Sequence, residues 1–182
     1  MNAEAVTTYK SAISLIQNGR IKEAILALDR AIKLENNFID AWLAKGNILD
    51  DIGNYNAAIN CFDKVLAINP NLATAWFNRA ISLMNLKQYL EVIKSTDKAI
   101  EILPNYYQAW NTRASALQMI GKYNEAISSY IKAIKIKSDD CVAIENLLGL
   151  YFIIVNGDKK VLQKVSSEET KFIEKLVQKL KE

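Results

Sequence analysis

The chain has no histidine, and only two prolines, two cysteines and six glycines among its 182 residues. Without histidine the commonest general acid–base group is missing. Neither Cys61 nor Cys141 has a neighbour in sequence of the kind that activates a thiol. Two isolated cysteines make neither a disulfide framework nor a metal-ligand pattern, so both read as free thiols of a reducing compartment, with the cytoplasm expected. No apolar run approaches the ~20 residues of a membrane span; the longest, near Leu147 to Val155, is interrupted by Gly149. Met1-Asn2-Ala3-Glu4 lacks a basic region followed by an apolar one, so no signal peptide is expected. Gly121-Lys122 lacks the other glycine and the Ser/Thr of a phosphate loop. Asp50-Asp51 cannot by themselves converge on one ion, because adjacent helical residues point about 100° apart. The charges, 23 basic and 20 acidic, are interleaved, whereas a nucleic-acid binder gathers basic charge on one face. The absences imply no catalytic residue, metal or cofactor, and no nucleic-acid or membrane partner.

What is present is a period. Trp42, Trp76 and Trp110 stand 34 residues apart, each preceded by alanine: Ala41, Ala75 and Ala109. With 51% hydrophobic residues the chain can bury a core. A fixed period of this size means stacked supersecondary units, and a stacked array presents an extended surface for binding.

With Ile39 as repeat position 1, position 8 holds Ala12, Gly46, Ala80 and Ala114. Position 20 holds Ala24, Ala58, Val92 and Ala126, and position 27 holds Ala31, Val65, Ala99 and Ala133. Small residues there let two helices approach closely. Trp at position 4, and Leu28, Phe62 and Tyr130 at position 24, fill the space between them. Gly19, Gly53 and Gly121 mark mid-unit breaks at left-handed helix ends. Pro70 and Pro104 close units, since proline does not fit a helix interior. Asn37, Asn71, Asn105 and Asp139 follow at the same period and are expected to N-cap the next helices. The helices are predicted at about 3–18, 22–35, 39–52, 56–68, 73–86, 90–102, 107–120 and 124–137.

The order of Trp42, Gly46, Leu49, Gly53-Asn54-Tyr55, Ala58, Phe62 and Pro70 resembles the tetratricopeptide repeat over roughly residues 5–140. That resemblance implies an all-α fold: a right-handed α-solenoid of helix-turn-helix repeats with a C-terminal capping helix. The expected organisation is four repeats within 1–140 (about 5–38, 39–72, 73–106 and 107–140), then 141–182.

The first repeat departs from the pattern, with Thr8 for Trp and Asn36 for Pro, as a terminal repeat does. The third has Lys87 at the turn glycine and Thr96 at the aromatic position. A left-handed lysine costs on the order of 1 kcal/mol, so this repeat is expected to open most easily of the internal ones.

After Asp140 a fifth first-type helix starts at Val142-Ala143-Ile144, apolar nearly all round in its later half and so expected to be covered on more than one side. Asn156-Gly157-Asp158 reads as a turn, and Lys160 stands where position 20 requires a small residue. Ser166 and Glu169 are spaced as a capping box. From there Phe172, Ile173, Leu176, Val177 and Leu180 form a stripe, with Lys171, Glu174, Lys175, Lys179 and Lys181 elsewhere. The stripe is expected to fold back as a cap; the alternative is a homodimer, or a partner helix, held through the same five residues.

In tetratricopeptide proteins the first helix of each repeat lines a concave face. Laid onto repeat positions 2, 5, 9, 12 and 13, with Asn78 beside them, the resemblance implies a groove. Its candidate residues are Tyr9, Leu43, Asn47, Asp50, Phe77, Asn78, Ile81, Met84, Gln108, Asn111 and Ser115. Apolar anchors and amides of this kind suit an extended or helical protein segment. Chaperone-binding members clamp a C-terminal carboxylate with Lys, Asn, Asn, Lys and Arg. Here those places hold Leu43, Asn47, Asn78, Gln108 and Thr112, so the cations are missing and no clamp is expected. The register one repeat earlier, with Tyr9, Ile13, Ala44, Thr74 and Asn78, fits worse. Lys45, Arg79 and Arg113, all at position 7, are expected to lay their stems on apolar surface and send their charged heads to water. The functional expectation is a scaffold that takes a partner's segment in its groove, the alternative being a unit that self-assembles through its terminal helices.

Overall fold

The computed structural model describes residues 2–157 and 165–180; Met1, Asp158, Lys160 and Lys181 lie outside them. Among the described residues every regular element is an α-helix. In chain order these are α1 (Ala3–Gln17), α2 (Ile21–Leu34), α3 (Ile39–Asp51), α4 (Tyr55–Ile68) and α5 (Ala73–Asn85). They continue with α6 (Tyr89–Ile102), α7 (Tyr107–Met119), α8 (Tyr123–Ile136), α9 (Cys141–Gly157) and α10 (Ser167–Lys179). The chain forms two compact units, Met1–Lys87 and Gln88–Glu182.

The glycine turns are as the period predicts. Gly19, Gly53 and Gly121 have φ of +71°, +79° and +77°, and Lys87 takes the same left-handed form at +59°. At Gly53 the chain leaves α3 with Gly53 N–H donating to Asp50 C=O at 2.9 Å and Asn54 N–H to Leu49 C=O at 2.7 Å. These bonds satisfy the last carbonyls of the helix, and only a residue without a β-carbon adopts the required φ freely.

The small positions are buried as expected. In the first unit Ala12, Ala24 and Ala31 close the α1–α2 pair around Leu28, and in the second Ala114, Ala126 and Ala133 close α7–α8 around Tyr130. Gly46 has a stricter role, because a β-carbon there would lie 2.6 Å from Cε1 of the buried Phe62 ring.

Asn37, Asn71 and Asn105 are not helix caps. The N-cap residues of α3, α5 and α7 are Phe38, Leu72 and Tyr106, none with a side-chain capping bond. Asn37 and Asn105 instead sit third in four-residue turns, closed by Phe38 N–H to Glu35 C=O at 3.1 Å and Tyr106 N–H to Leu103 C=O at 3.0 Å. Asp139 sits likewise in the turn closed by Asp140 N–H to Lys137 C=O, and Asp140 is the residue beside α9 whose carboxylate accepts from Ala143 N–H. In the second of these turns Pro104 comes second, which its fixed φ favours. An apolar residue at the cap position packs inward: Phe38 is buried, with its ring 5.1 Å from that of Tyr9. Core burial of a whole ring there outweighs a cap worth about 1 kcal/mol.

The tryptophan ladder has a polar function besides filling space. The indole N–H of Trp42, Trp76 and Trp110 donates to the carbonyls of Asn36, Pro70 and Pro104 at 2.9, 2.8 and 2.9 Å. Each indole so ties the start of a repeat to the turn before it.

In the second unit α9 buries Ala143, Leu147, Leu150 and Ile154 against α8, but Phe152 and Ile153 are 69% and 60% exposed. The expectation that its apolar later half is covered on more than one side therefore fails at those two residues and at Val155, which is also exposed. The capping box at the start of α10 forms, with Ser166 Oγ accepting from Glu169 N–H at 3.2 Å and Glu169 accepting from Ser166 N–H at 3.0 Å. Ile173 is fully buried in the core of this unit, with Phe172, Leu176 and Val177 packed around it. Ser128 Oγ donates to Glu169, and the Lys135 ammonium lies 5.5 Å from the Phe172 ring. Burial opposes ionisation of Glu169, but the bonds from Ser128 and Ser166 outweigh it and hold its pKa below the ordinary carboxylate value. Of the five stripe residues only Leu180 is exposed.

Candidate partner-binding surface

In the first unit, α3 and α5 bring four of the groove residues together. Asn78 Nδ2 donates to Asn47 Oδ1 at 2.9 Å, and Ser82 Oγ donates to Asp50 Oδ1 at 2.5 Å. Asn47, Asp50, Asn78 and Ile81 then line one open cleft of about 380 Å³ with Asp51 and Phe62. The helical period explains it. Asn47 and Asp50 are three apart on α3, and Asn78 and Ile81 are three apart on α5, so each pair shares a helix face. Gly46 admits the Phe62 ring that floors the cleft.

Leu43, Phe77 and Met84 are half-buried on the same two helices. Leu43 packs against two buried clusters, so much of it is core. Tyr9 likewise packs against the core formed by α1 and α2, where burial raises its phenol pKa and the nearby Asp40 raises it further. A larger hollow of about 640 Å³, lined by Asn36, Asn37, Trp42, Lys64, Ala67 and Ile68, contains none of the predicted groove residues.

In the second unit, α7 carries Gln108, Asn111 and Ser115, all half-buried. Ser115 Oγ donates to Asn111 C=O at 3.1 Å and lies 3.0 Å from the Tyr130 hydroxyl. Tyr130 in turn donates to Gln118 Oε1 at 3.0 Å. Burial pushes the Tyr130 phenol up, against the lowering effect of Ser115. Asn111 Oδ1 is buried without a hydrogen-bond partner, which is rare enough to require an explanation.

Ser82 and Tyr130, which hold Asp50 and Ser115, were not legible as site residues. Nothing in the repeat marks Ser82, and Tyr130 reads as core filling. The position-7 cations need a correction. Their heads do not end in water: Lys45 pairs with Asp29 at 2.5 Å, Arg79 with Asp63 at 2.7 Å and Arg113 with Asp97 at 2.7 Å. The cation side chains are only 19–21% exposed, and Arg113 also donates to Ser129 Oγ at 2.7 Å. Asp29, Asp63 and Asp97 recur at the same period as the tryptophans, a signal that was present in the sequence. Among the described residues no three His, Cys, Asp or Glu side chains gather as a metal site.

Paired helices joined by left-handed turns, small residues at fixed positions and an indole ladder define an all-α repeat protein of the α-solenoid class. Family models described as tetratricopeptide repeat match residues 39–72, 61–94 and 96–128. The chain belongs to the tetratricopeptide repeat family. Solved structures agree on the fold. A crystal structure of MamA protein is 22% identical over 98% of this chain and 93% of that one, with a TM-score of 0.81. MamA 41-end from Desulfovibrio magneticus RS-1 is 20% identical over 96% and 97%, with a TM-score of 0.80. The first TPR of Spaghetti (RPAP3), solved bound to the HSP90 peptide SRMEEVD, is 22% identical over 65% of this chain and 94% of that chain, with a TM-score of 0.63. No curated protein sequence matches the chain.

Proposed function

We propose that this protein is a non-catalytic interaction scaffold which binds an extended or helical segment of a partner protein on the faces of its first-type helices, without a carboxylate clamp. The observation that carries the reading is the cleft of the first unit, where amides, a carboxylate and Ile81 meet over the Phe62 ring. Ile81 offers an apolar anchor, and Asn47 and Asn78 keep unused hydrogen-bonding capacity for a partner's backbone. The RPAP3 domain, solved bound to an HSP90 peptide, supports the coarser part of the reading, that a fold of this class can take a peptide. The clamp positions Leu43, Asn47 and Asn78 of the first unit provide no cation, and neither do Gln108 and Thr112 of the second. Four repeats within 1–140 followed by a terminal region at 141–182, in a cytoplasmic protein, complete the proposal. Among the described residues no helix is long and apolar enough to cross a membrane.

Affinity purification with wild type beside an Asn47→Ala, Ile81→Ala variant of equal melting temperature tests it. A protein retained by wild type and lost by the variant, then bound directly after purification, is the expected result. An unchanged set of bound proteins would count against the cleft.

Exposed Phe152 and Ile153 favour a second reading, self-association through the terminal helices. Phe172, Ile173, Leu176 and Val177 are engaged in the chain's own core, so a homodimer through that stripe has weaker support than one through α9. Light scattering of wild type and a Phe152→Ser, Ile153→Ser variant tests it. A monomeric wild type rejects this reading.

A further inference from the structure

The face proposed above for docking carries charge of one sign. At repeat positions 2, 5, 9, 12 and 13 of the first-type helices, no residue is Lys or Arg, although the chain holds 23 of them. The charged residues at those positions are Asp40, Asp50, Asp51 and Glu145. Within the first unit the pattern of ion pairing sharpens this. Glu4 pairs with Arg30, Glu23 with Arg20, Asp29 with Lys45 and Asp63 with Arg79. Glu35 accepts from Asn2 N–H at 3.1 Å. Asp40, Asp50 and Asp51 have no ion pair with any cation among the described residues, and the one contact of Asp50 is the neutral Ser82 hydroxyl. Of the first unit's carboxylates, three of the four without an ion pair among the described residues are on this face, the fourth being Glu35, held by the Asn2 N–H.

Two of them, Asp50 and Asp51, line the cleft beside Ile81 and the Phe62 ring. An acidic segment would meet like charge there, and a neutral one would leave both carboxylates without a counterion. Electrostatic complementarity selects partners by the sign they present. We infer that the occupant is a segment of a partner protein carrying lysine or arginine among apolar residues, its cations at Asp50 and Asp51 and an apolar side chain on Ile81. The inference rests on the reading of this face as the docking surface and adds to it the chemistry of the partner.

The test uses the full chain and two labelled peptides of the same amphipathic pattern, one of Leu and Lys, the other of Leu and Glu, followed by fluorescence anisotropy at low and physiological salt. The Leu/Lys peptide is expected to bind and the Leu/Glu peptide to fail. Asp50→Asn with Asp51→Asn should weaken Leu/Lys binding roughly fivefold to tenfold at low salt and less at high salt. Glu4→Gln with Glu23→Gln removes the same charge elsewhere and should change it by less than about twofold. No binding of the Leu/Lys peptide, an unaffected Asp50→Asn, Asp51→Asn variant, or an equal loss in the control pair would overturn the inference. Binding of the Leu/Glu peptide that Ile81→Ala weakens would overturn the charge rule while leaving the face standing.

Discussion

Arg113 Nε donates to Asp97 Oδ1 at 2.7 Å, joining the second helix of one repeat to the first helix of the next. The corresponding position in the next repeat junction is apolar: Ile131 and Leu147 replace the ion pair and are buried at 4% and 0% exposure. The same geometrical junction is thus closed in two chemical ways within one chain. A pair whose carboxylate is 52% exposed contributes little beyond holding register.

The substitution that mimics the apolar junction is therefore informative. Asp97→Ile alone strips the counterion from an Arg113 side chain only 21% exposed, and should cost about 1–2 kcal/mol. Asp97→Ile with Arg113→Leu should return to within about 1 kcal/mol of wild type, because no charge is left unpaired. Urea unfolding of the three proteins checks it. A double variant less stable than the single one would refute the equivalence of the two junctions.

Lys87 has φ of +59° at the place where Gly19, Gly53 and Gly121 stand in the other repeats. A side chain in that region is strained, and Lys87→Gly should stabilise by roughly 0.5–1 kcal/mol once the extra freedom of glycine in the unfolded chain is subtracted. Gly53→Lys should cost a similar amount or more. In wild type, amides within 73–106 should exchange sooner than those within 39–72, as hydrogen exchange by mass spectrometry would report.

How far the sequence alone reaches depends on whether a feature repeats. The tryptophans, the small residues and the turn glycines recur at one spacing, and each lies where that spacing requires. Lys87 was legible as a strained position because it breaks the glycine series. Asn37, Asn71 and Asn105 misled, because a turn and a helix cap prefer the same residue; at Asn37 the burial of Phe38 decides for the turn. The aspartates that pair with Lys45, Arg79 and Arg113 recur too, but their partners lie across a junction between repeats. The cleft was legible by register; its Ser82 contact and Phe62 floor depend on packing.

The two cysteines should differ in reactivity. Burial pushes the Cys61 thiol up to about 11, with the Lys45 charge lowering it less and Asp29 raising it. A thiol reagent at pH 8 should modify the exposed Cys141 quickly and Cys61 only after unfolding. The folded state binds the Cys61 proton more tightly than the unfolded chain. Stability from this group is therefore fully present below pH about 9 and lost as pH rises towards about 11, by at most roughly 1.4 kcal/mol per pH unit. Cys61→Ala should flatten that slope in alkaline melts. Equal modification of both thiols in the native protein would refute the burial argument.

The chaperone peptide gives the sharpest negative prediction. SRMEEVD ends in a carboxylate and carries acidic side chains next to it. In the first unit its carboxylate would meet Asn47 and Asn78, already bonded to each other at 2.9 Å, with Leu43 where a cation would be needed. Asp50 and Asp51 beside them would repel it further. Breaking the amide pair and desolvating an uncompensated carboxylate leaves no net gain. Calorimetry with this peptide should show no binding at micromolar concentrations. Leu43→Lys should introduce weak, salt-sensitive binding, since it supplies the missing charge beside the two asparagines. Micromolar affinity in the wild type would overturn the argument from missing cations.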